Sequence, residues 1–264
     1  CHLGVAGVAL ASMISQFISA FLILRALLTG KEKYCLRLSE IRFDRRKAAG
    51  ILQIGIPSAF QYSLFAFANL FVQSSVNSFD HVLVEGNSAA ANADPLVYDM
   101  MAAFYTACSS FIAQNFGAKK KKRILQTYLI CLFYSFITSL VLGVGIYLAR
   151  YPFLYLFTSD KAVVEAGITR LSIMALSYSA SAFMDASIAA SRGLGKTAVP
   201  TFVVVMGSCV FRIIWIYTIF AYFHTIQSLY ILYVFSWGIT AIAENIYFFH
   251  VYRHTLTGKT ESHL

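Results

Sequence analysis

Charge is scarce in this chain. Lys, Arg, Asp and Glu together make up 12% of 264 residues, about half of what a soluble globular domain carries, which excludes an ordinary water-exposed surface. Acid is scarcer still, with 12 Asp plus Glu against 21 Lys plus Arg and a net charge of +9. Proline occurs only four times, so long helices are expected to run largely uninterrupted. The five cysteines (Cys1, Cys35, Cys108, Cys131 and Cys209) are scattered without C-x-x-C spacing and read as free, small packing residues. His2, His81, His224, His250, His254 and His263 fall at segment ends or in loops, which argues against a histidine metal site. There is no nucleophile triad, phosphate loop or H-E-x-x-H motif, so neither an enzyme nor a bound cofactor or metal is expected.

What the chain has in abundance is apolar length. Hydrophobic residues make up 58%, and the apolar segments run at roughly 3–28, 51–79, 88–116, 124–149, 168–190, 199–222 and 229–252. Each reaches the ~20 residues that a bilayer-spanning helix requires. The expected fold class is an all-α integral membrane protein with seven transmembrane helices. Every second loop is basic: Lys31, Lys33, Arg37, Arg42, Arg45, Arg46 and Lys47 lie in the first, Lys119 to Arg123 in the third, Arg192 and Lys196 in the fifth, and Arg253 and Lys259 in the tail. The intervening loops hold Asp80 and Glu85, then Arg150, Asp160, Lys161 and Glu165, and finally an uncharged stretch. By the positive-inside rule the basic loops are cytoplasmic, which puts residue 1 outside and Leu264 inside. A multi-pass protein of the cell (plasma or inner) membrane is expected, its charge facing anionic headgroups and not nucleic acid. The chain has no initiator Met and is already apolar at residue 3, so it reads as a fragment lacking N-terminal sequence.

Polarity inside the segments points to an internal wet surface. In the second, Tyr62, Asn69, Gln73 and Asn77 fall within a narrow helical arc; in the third, Asn92, Asp99, Thr106 and Ser110 do. Tyr178, Ser181 and Asp185 share a face of the fifth, and Trp237, Thr240 and Glu244 of the seventh. The fourth carries few polar groups and reads as a lipid-facing wall. Two basic turns resemble each other, Gln114-Asn115-Phe116-Gly117-Ala118 and Ser191-Arg192-Gly193-Leu194-Gly195-Lys196; they suggest an internal repeat, although any short cytoplasmic turn favours glycine and lysine.

A charge at membrane depth costs about 3 kcal/mol or more and marks a pathway, a relay or an ion pair. Asp99, Asp185, Arg212 and Glu244 are such charges. At about 1.5 Å rise per residue, Arg212 stands about 22 Å above Thr197 and Asp99 about 27 Å above Gly117, so depth alone pairs these two. Asp185 and Glu244 form a shallower carboxylate level, about 10 and 14 Å above the nearest basic turn residues. A carboxylate such as Asp185 could exchange a proton for a cationic substrate, whereas the plainer reading of Arg212 is a lock between two helices.

The ordered motifs Gly55-Ile56-Pro57 opening a helix with Gln61 and Asn69, Gly86-Asn87-Ser88-Ala89-Ala90-Ala91-Asn92, Gln114-Asn115-Phe116-Gly117-Ala118, Met184-Asp185 leading to Arg192-Gly193-Leu194-Gly195 and Pro200, and Gly207-Ser208-Cys209 before Arg212-Ile213-Ile214-Trp215 together resemble the C-terminal half of a multidrug and toxic compound extrusion (MATE) transporter. The resemblance implies two six-helix lobes around a cavity open to one side at a time, exporting organic cations in exchange for protons or sodium. On it, 1–29 is the last helix of the N-terminal lobe, 30–50 a cytoplasmic connector, 51–252 the six-helix C-terminal lobe and 253–264 a cytoplasmic tail. The expected partners are small organic cations, the lipid bilayer and the missing N-terminal lobe, with a substrate and ion pathway through Asp185, Arg212, Asp99, Glu244, Gln61, Asn69 and Tyr178. Sodium-coupled members carry an acid in the seventh helix, and 57–79 holds none; proton-coupled members use an aspartate in the first helix, which precedes this chain. Proton and sodium both stay open.

Two rivals compete. A heptahelical receptor or retinal protein shares the topology, but the last helix has no lysine for a Schiff base and no cysteine pair spans the outer loops. A lipid-linked oligosaccharide flippase of the same superfamily needs several cavity cations for its pyrophosphate; an inward set of three acids to one arginine favours a cationic cargo instead.

Overall fold

The computed structural model describes residues 4–29, 35–37 and 41–256. Parts of the expected connector (30–34 and 38–40) and most of the expected tail (257–264) lie outside the described residues, as do Cys1, His2, Lys31, Lys33, Lys259 and His263. Every described element is helical: α1 (Gly4–Thr29), α2 (Arg45–Val76), α3 (His81–Ala91), α4 (Ala93–Gly117), α5 (Lys121–Leu148), α6 (Arg150–Tyr155), α7 (Lys161–Gly193), α8 (Ala198–Val204), α9 (Phe211–Trp215), α10 (Ala221–Phe223) and α11 (Ile226–Leu256). The seven apolar segments are all realised as spans long enough to cross a membrane: Ala9–Thr29, Arg45–Val76, His81–Gly117, Lys121–Leu148, Lys161–Gly193, Ala198–Phe223 and Ile226–His254. The chain divides at residue 51 into two units. The first holds α1, whose described side chains are nearly all exposed; the second is the helical bundle.

Three spans depart from the expectation of uninterrupted helix. The third breaks at Asn92, between α3 and α4. Pro95 follows at the third position of α4 and has no N–H for the carbonyl of residue 91, so a break there costs little. The sixth is α8, α9 and α10 joined by two π-helical stretches, Val205–Val210 and Ile216–Phe220, whose widened turns bracket Arg212. Gly55-Ile56-Pro57 does not open a helix: α2 starts at Arg45 and runs through Pro57.

The bundle is built around α7, two-thirds of whose apolar span is buried, more than in any other span. It packs against α3, α4, α5, α6, α8 and α11. Small residues permit this, because helices in lipid gain by close van der Waals approach and not by squeezing out water. At Gly143 of α5 a Cβ would come within 2.0 Å of the Ala175 carbonyl oxygen on α7. Gly86 on α3 faces Gly167 on α7 backbone to backbone. One end of the bundle is closed by Cys108, Ile112, Ile124, Tyr128, Phe248 and Val251, the other by Val72, Val76, Trp215, Phe220, Leu229 and Tyr230. As expected for a lipid-facing wall, α5 exposes Leu129, Ile130, Phe133, Tyr134 and Val141, while Tyr128, Ser135, Ser139 and Gly143 face inward. The four described cysteines are free thiols.

Loop acids do structural work: Asp80 caps α3 by accepting from the Leu83 amide at 2.9 Å, and Asp160 caps α7 by accepting from the Ala162 amide at 2.8 Å. The two look-alike turns prove alike in geometry. In each, the residue after the turn returns an N–H to a carbonyl five residues back, Lys120 to Asn115 at 2.9 Å and Lys196 to Ser191 at 3.0 Å. The preceding residue, Lys119 (φ 56°) or Gly195 (φ 76°), is left-handed.

Candidate functional site

Between α2, the α3–α4 break, α7, α8–α9 and α11 lies a cleft of about 730 Å³, wholly within the second unit. Its polar groups come in three tiers because α7 presents residues at seven-residue spacing toward it, while α2 and α9 supply the opposite wall.

The first tier sits at the α3–α4 break. Arg170 Nη2 donates to Asp94 Oδ2 at 2.6 Å and its Nη1 to Asn87 Oδ1 at 2.7 Å; the hydroxyl of Tyr178 donates to the other Asp94 oxygen. Half-buried on both sides, this ion pair keeps α3, α4 and α7 together. In the second tier Arg212, 0% exposed, donates from Nη1 to Asn69 Oδ1 on α2 at 2.8 Å and from Nε to Ser236 Oγ on α11 at 3.4 Å. Its guanidinium also lies 4.6 Å from the Phe65 ring centre and 4.5 Å from that of Tyr233. In the third tier Arg192 donates to Tyr105 Oη and to Gln61 Oε1, both at 2.8 Å, and is the cation acting on Asp185, one α-helical heptad away on α7. Between the tiers the lining is aromatic and thioether: Phe65, Tyr98, Tyr233, Trp237, Met101, Met174 and Met184.

Of the residues singled out in the sequence, Asp185, Arg212, Gln61 and Asn69 line the cleft, as does Trp237. Tyr178 stands behind the lining and reaches the site through Asp94. Asp99 does not belong here: it is exposed, lies outside the lining and does not pair with Arg212, whose partners are Asn69, Ser236 and two rings. Equal depth says nothing of azimuth, and the break at Asn92 resets the phase of α4 so that its inward stripe is Asp94, Met101 and Cys108. Glu244 is fully buried on α11 but is not part of the lining; both its oxygens lack a hydrogen-bond partner among the described residues, with Arg192 the cation acting on it. The inward charge balance is therefore three arginines (Arg170, Arg192, Arg212) to two aspartates (Asp94, Asp185), the reverse of the expected acid excess. Arg170, Asp94 and Arg192 were missed because Arg192 reads as a turn cation and Arg170 lies just inside an apolar run. The seven-residue spacing of Asn87, Asp94 and Met101 could have found Asp94.

These features define a class, a polytopic helical membrane protein enclosing an amphipathic, arginine-studded cleft. The MatE family model matches residues 57–218, and the chain belongs to that family. It is 24% identical over 204 residues to the probable multidrug resistance protein NorM of Thermotoga maritima, covering 75% of this chain and 43% of that protein. Its fold matches a MOP superfamily transporter from Pyrococcus furiosus Vc1 (DSM3638), described by a binding pocket of reverse polarity that suggests a different function, with TM-score 0.86 at 20% identity over 98% of this chain and 58% of that one. The fold also matches a multidrug resistance MATE family transporter in an outward-facing conformation, with TM-score 0.84 at 20% identity over 96% of this chain and 57% of that one. The chain spans about half the length of these relatives.

Proposed function

We propose that the chain forms one half of a multidrug efflux transporter, with residues 51–252 as its C-terminal six-helix lobe, 1–29 as the last helix of an N-terminal lobe and 30–50 as the bridge between them. The basic turns face the cytoplasm in this reading, and the complete carrier works by alternating access as a proton- or sodium-driven antiporter. The observation that carries it is the cleft, which joins a polar ladder to an aromatic and methionine surface of the adaptable kind that promiscuous carriers use.

Asp185 is the residue proposed for ion coupling. It is the cleft carboxylate not bound to an arginine by a direct hydrogen bond, whereas Asp94 is held by Arg170 and Tyr178. A group held loosely between Arg192 and the cleft can give up a cation when cargo arrives. A pyrophosphate-linked lipid is less well supported as cargo: Arg170 is neutralised by Asp94, and Arg192 faces Asp185 and Glu244, which leaves one uncompensated guanidinium where a diphosphate calls for several.

The test is efflux of fluorescent amphiphiles from cells expressing the full-length protein. Asp185→Asn is expected to reach the membrane at normal abundance and to lose cation-driven efflux. Undiminished efflux in that variant overturns the coupling role.

A further inference from the structure

Arg212 is the charge in the cleft whose accounts do not close. A guanidinium has five N–H donors; Nη1 and Nε are used, but Nη2 is buried without a hydrogen-bond partner among the described residues. The groups that meet it are an amide, a hydroxyl and two aromatic rings, and the charges acting on it include no carboxylate. A cation 0% exposed at membrane depth normally carries an acid partner, because burying it unpaired is costly. Asn69, its α2 partner, is neutral and lines the same cleft. Around it, Phe65, Tyr98, Tyr233 and Trp237 supply flat apolar surface.

We propose that Arg212 is the anchor for the acidic group of an amphipathic organic anion, whose apolar body lies against these rings. This deepens the transporter reading and rests on it for its biological meaning, though the binding itself can be measured without transport. An acidic group binds a guanidinium through shorter, charge-assisted and often bidentate bonds, about twice as strong as those of a neutral acceptor. It therefore displaces the Asn69 amide, takes up Nη1 and the idle Nη2, and supplies the negative charge that the site lacks. Displacing Asn69 also removes one of the two arginine-to-amide ties on α2, the other being Arg192 to Gln61. Cargo entry and loosening of α2 then become one event.

The experiment compares naphthylacetate, naphthylacetamide and naphthylethylammonium as ligands of the detergent-purified full-length protein by calorimetry. Three probes of nearly one shape separate charge from apolar burial. Naphthylacetate is expected to bind about 10- to 100-fold more tightly than the neutral amide, the range for one hydrogen bond to a charged group. Arg212→Gln should erase that difference while keeping the weak binding of the amide, and Arg212→Lys should keep part of it. Asn69→Ala frees Nη1 and should tighten naphthylacetate, whereas a purely structural Arg212 predicts weaker binding of all three probes. Equal binding of acid and amide by the wild type, a preference for the ammonium, or an undiminished preference for the acid in Arg212→Gln overturns the proposal; if Arg212→Gln does not fold, the Asn69→Ala result decides. Should anion binding hold while no amphiphile is exported from cells, the transport reading fails and the anchor stands.

Discussion

The Arg170–Asp94 pair offers the sharpest test of how this bundle is held. Their side chains are 10% and 24% exposed and 2.6 Å apart, so the pair is neither a solvated surface contact nor fully dehydrated. Removing one partner of a buried pair costs about 3–5 kcal/mol, mostly from the orphaned charge; an exposed pair is worth at most about 1 kcal/mol. Partial access to the cleft pulls the expectation for Asp94→Asn to about 2–3 kcal/mol, since Arg170 keeps its bond to Asn87 and an amide oxygen can still accept. Arg170→Gln should cost about 3 kcal/mol, because it also strips Asn87 and leaves Asp94 with Tyr178 alone. Losing both together should cost less than the sum by about 1.5–2.5 kcal/mol. The assay is reversible denaturant unfolding of the full-length protein in detergent for wild type, both single variants and the double variant. A coupling below about 0.5 kcal/mol, the additivity limit for independent sites, refutes the pair as a structural clamp.

Three further outcomes are expected. Gly143→Val should abolish folded yield on size-exclusion chromatography, since its Cβ would sit 2.0 Å from the Ala175 carbonyl oxygen, while Gly145→Val on the same helix, with nothing within 4 Å, should express normally. Gly207→Ala should destabilise by about 1–3 kcal/mol in detergent unfolding, because the new methyl meets Thr240 Oγ1 at 2.4 Å, and Thr240→Ala in the same chain should restore part of the loss. Asp99→Asn should leave both melting and amphiphile efflux unchanged, its carboxylate lying outside the cleft.

The spans were legible because a bilayer demands apolar length, a property that any contiguous window of sequence displays. Asp185, Gln61 and Asn69 were legible as inward polar positions by the same logic, polarity where lipid forbids it. What one-dimensional reading could not supply was rotation about a helix axis after a discontinuity. Asp99 and Asp94 are five residues apart on α4 and point to different environments, and only the location of the break at Asn92 tells which is inside. Arg192 was hidden differently: a cation beside a glycine turn looks like a topology signal, yet its side chain reaches back to Tyr105 and Gln61. The expected Arg212–Asp99 pair failed for a related reason, since two groups at one height can still sit a quarter-turn apart.

The widened turns on either side of Arg212 have a genetic consequence. Each π-helical stretch accommodates about one residue more than ordinary winding allows. Excising a single residue from Val205–Val210 would let that stretch relax to regular pitch without breaking the span, yet it would rotate the segments before and after it by about 100° relative to one another. The arginine would swing off its aromatic seat, so this stretch should tolerate exchange of apolar residues far better than loss of one. Length, more than side-chain identity, is the trait under constraint there.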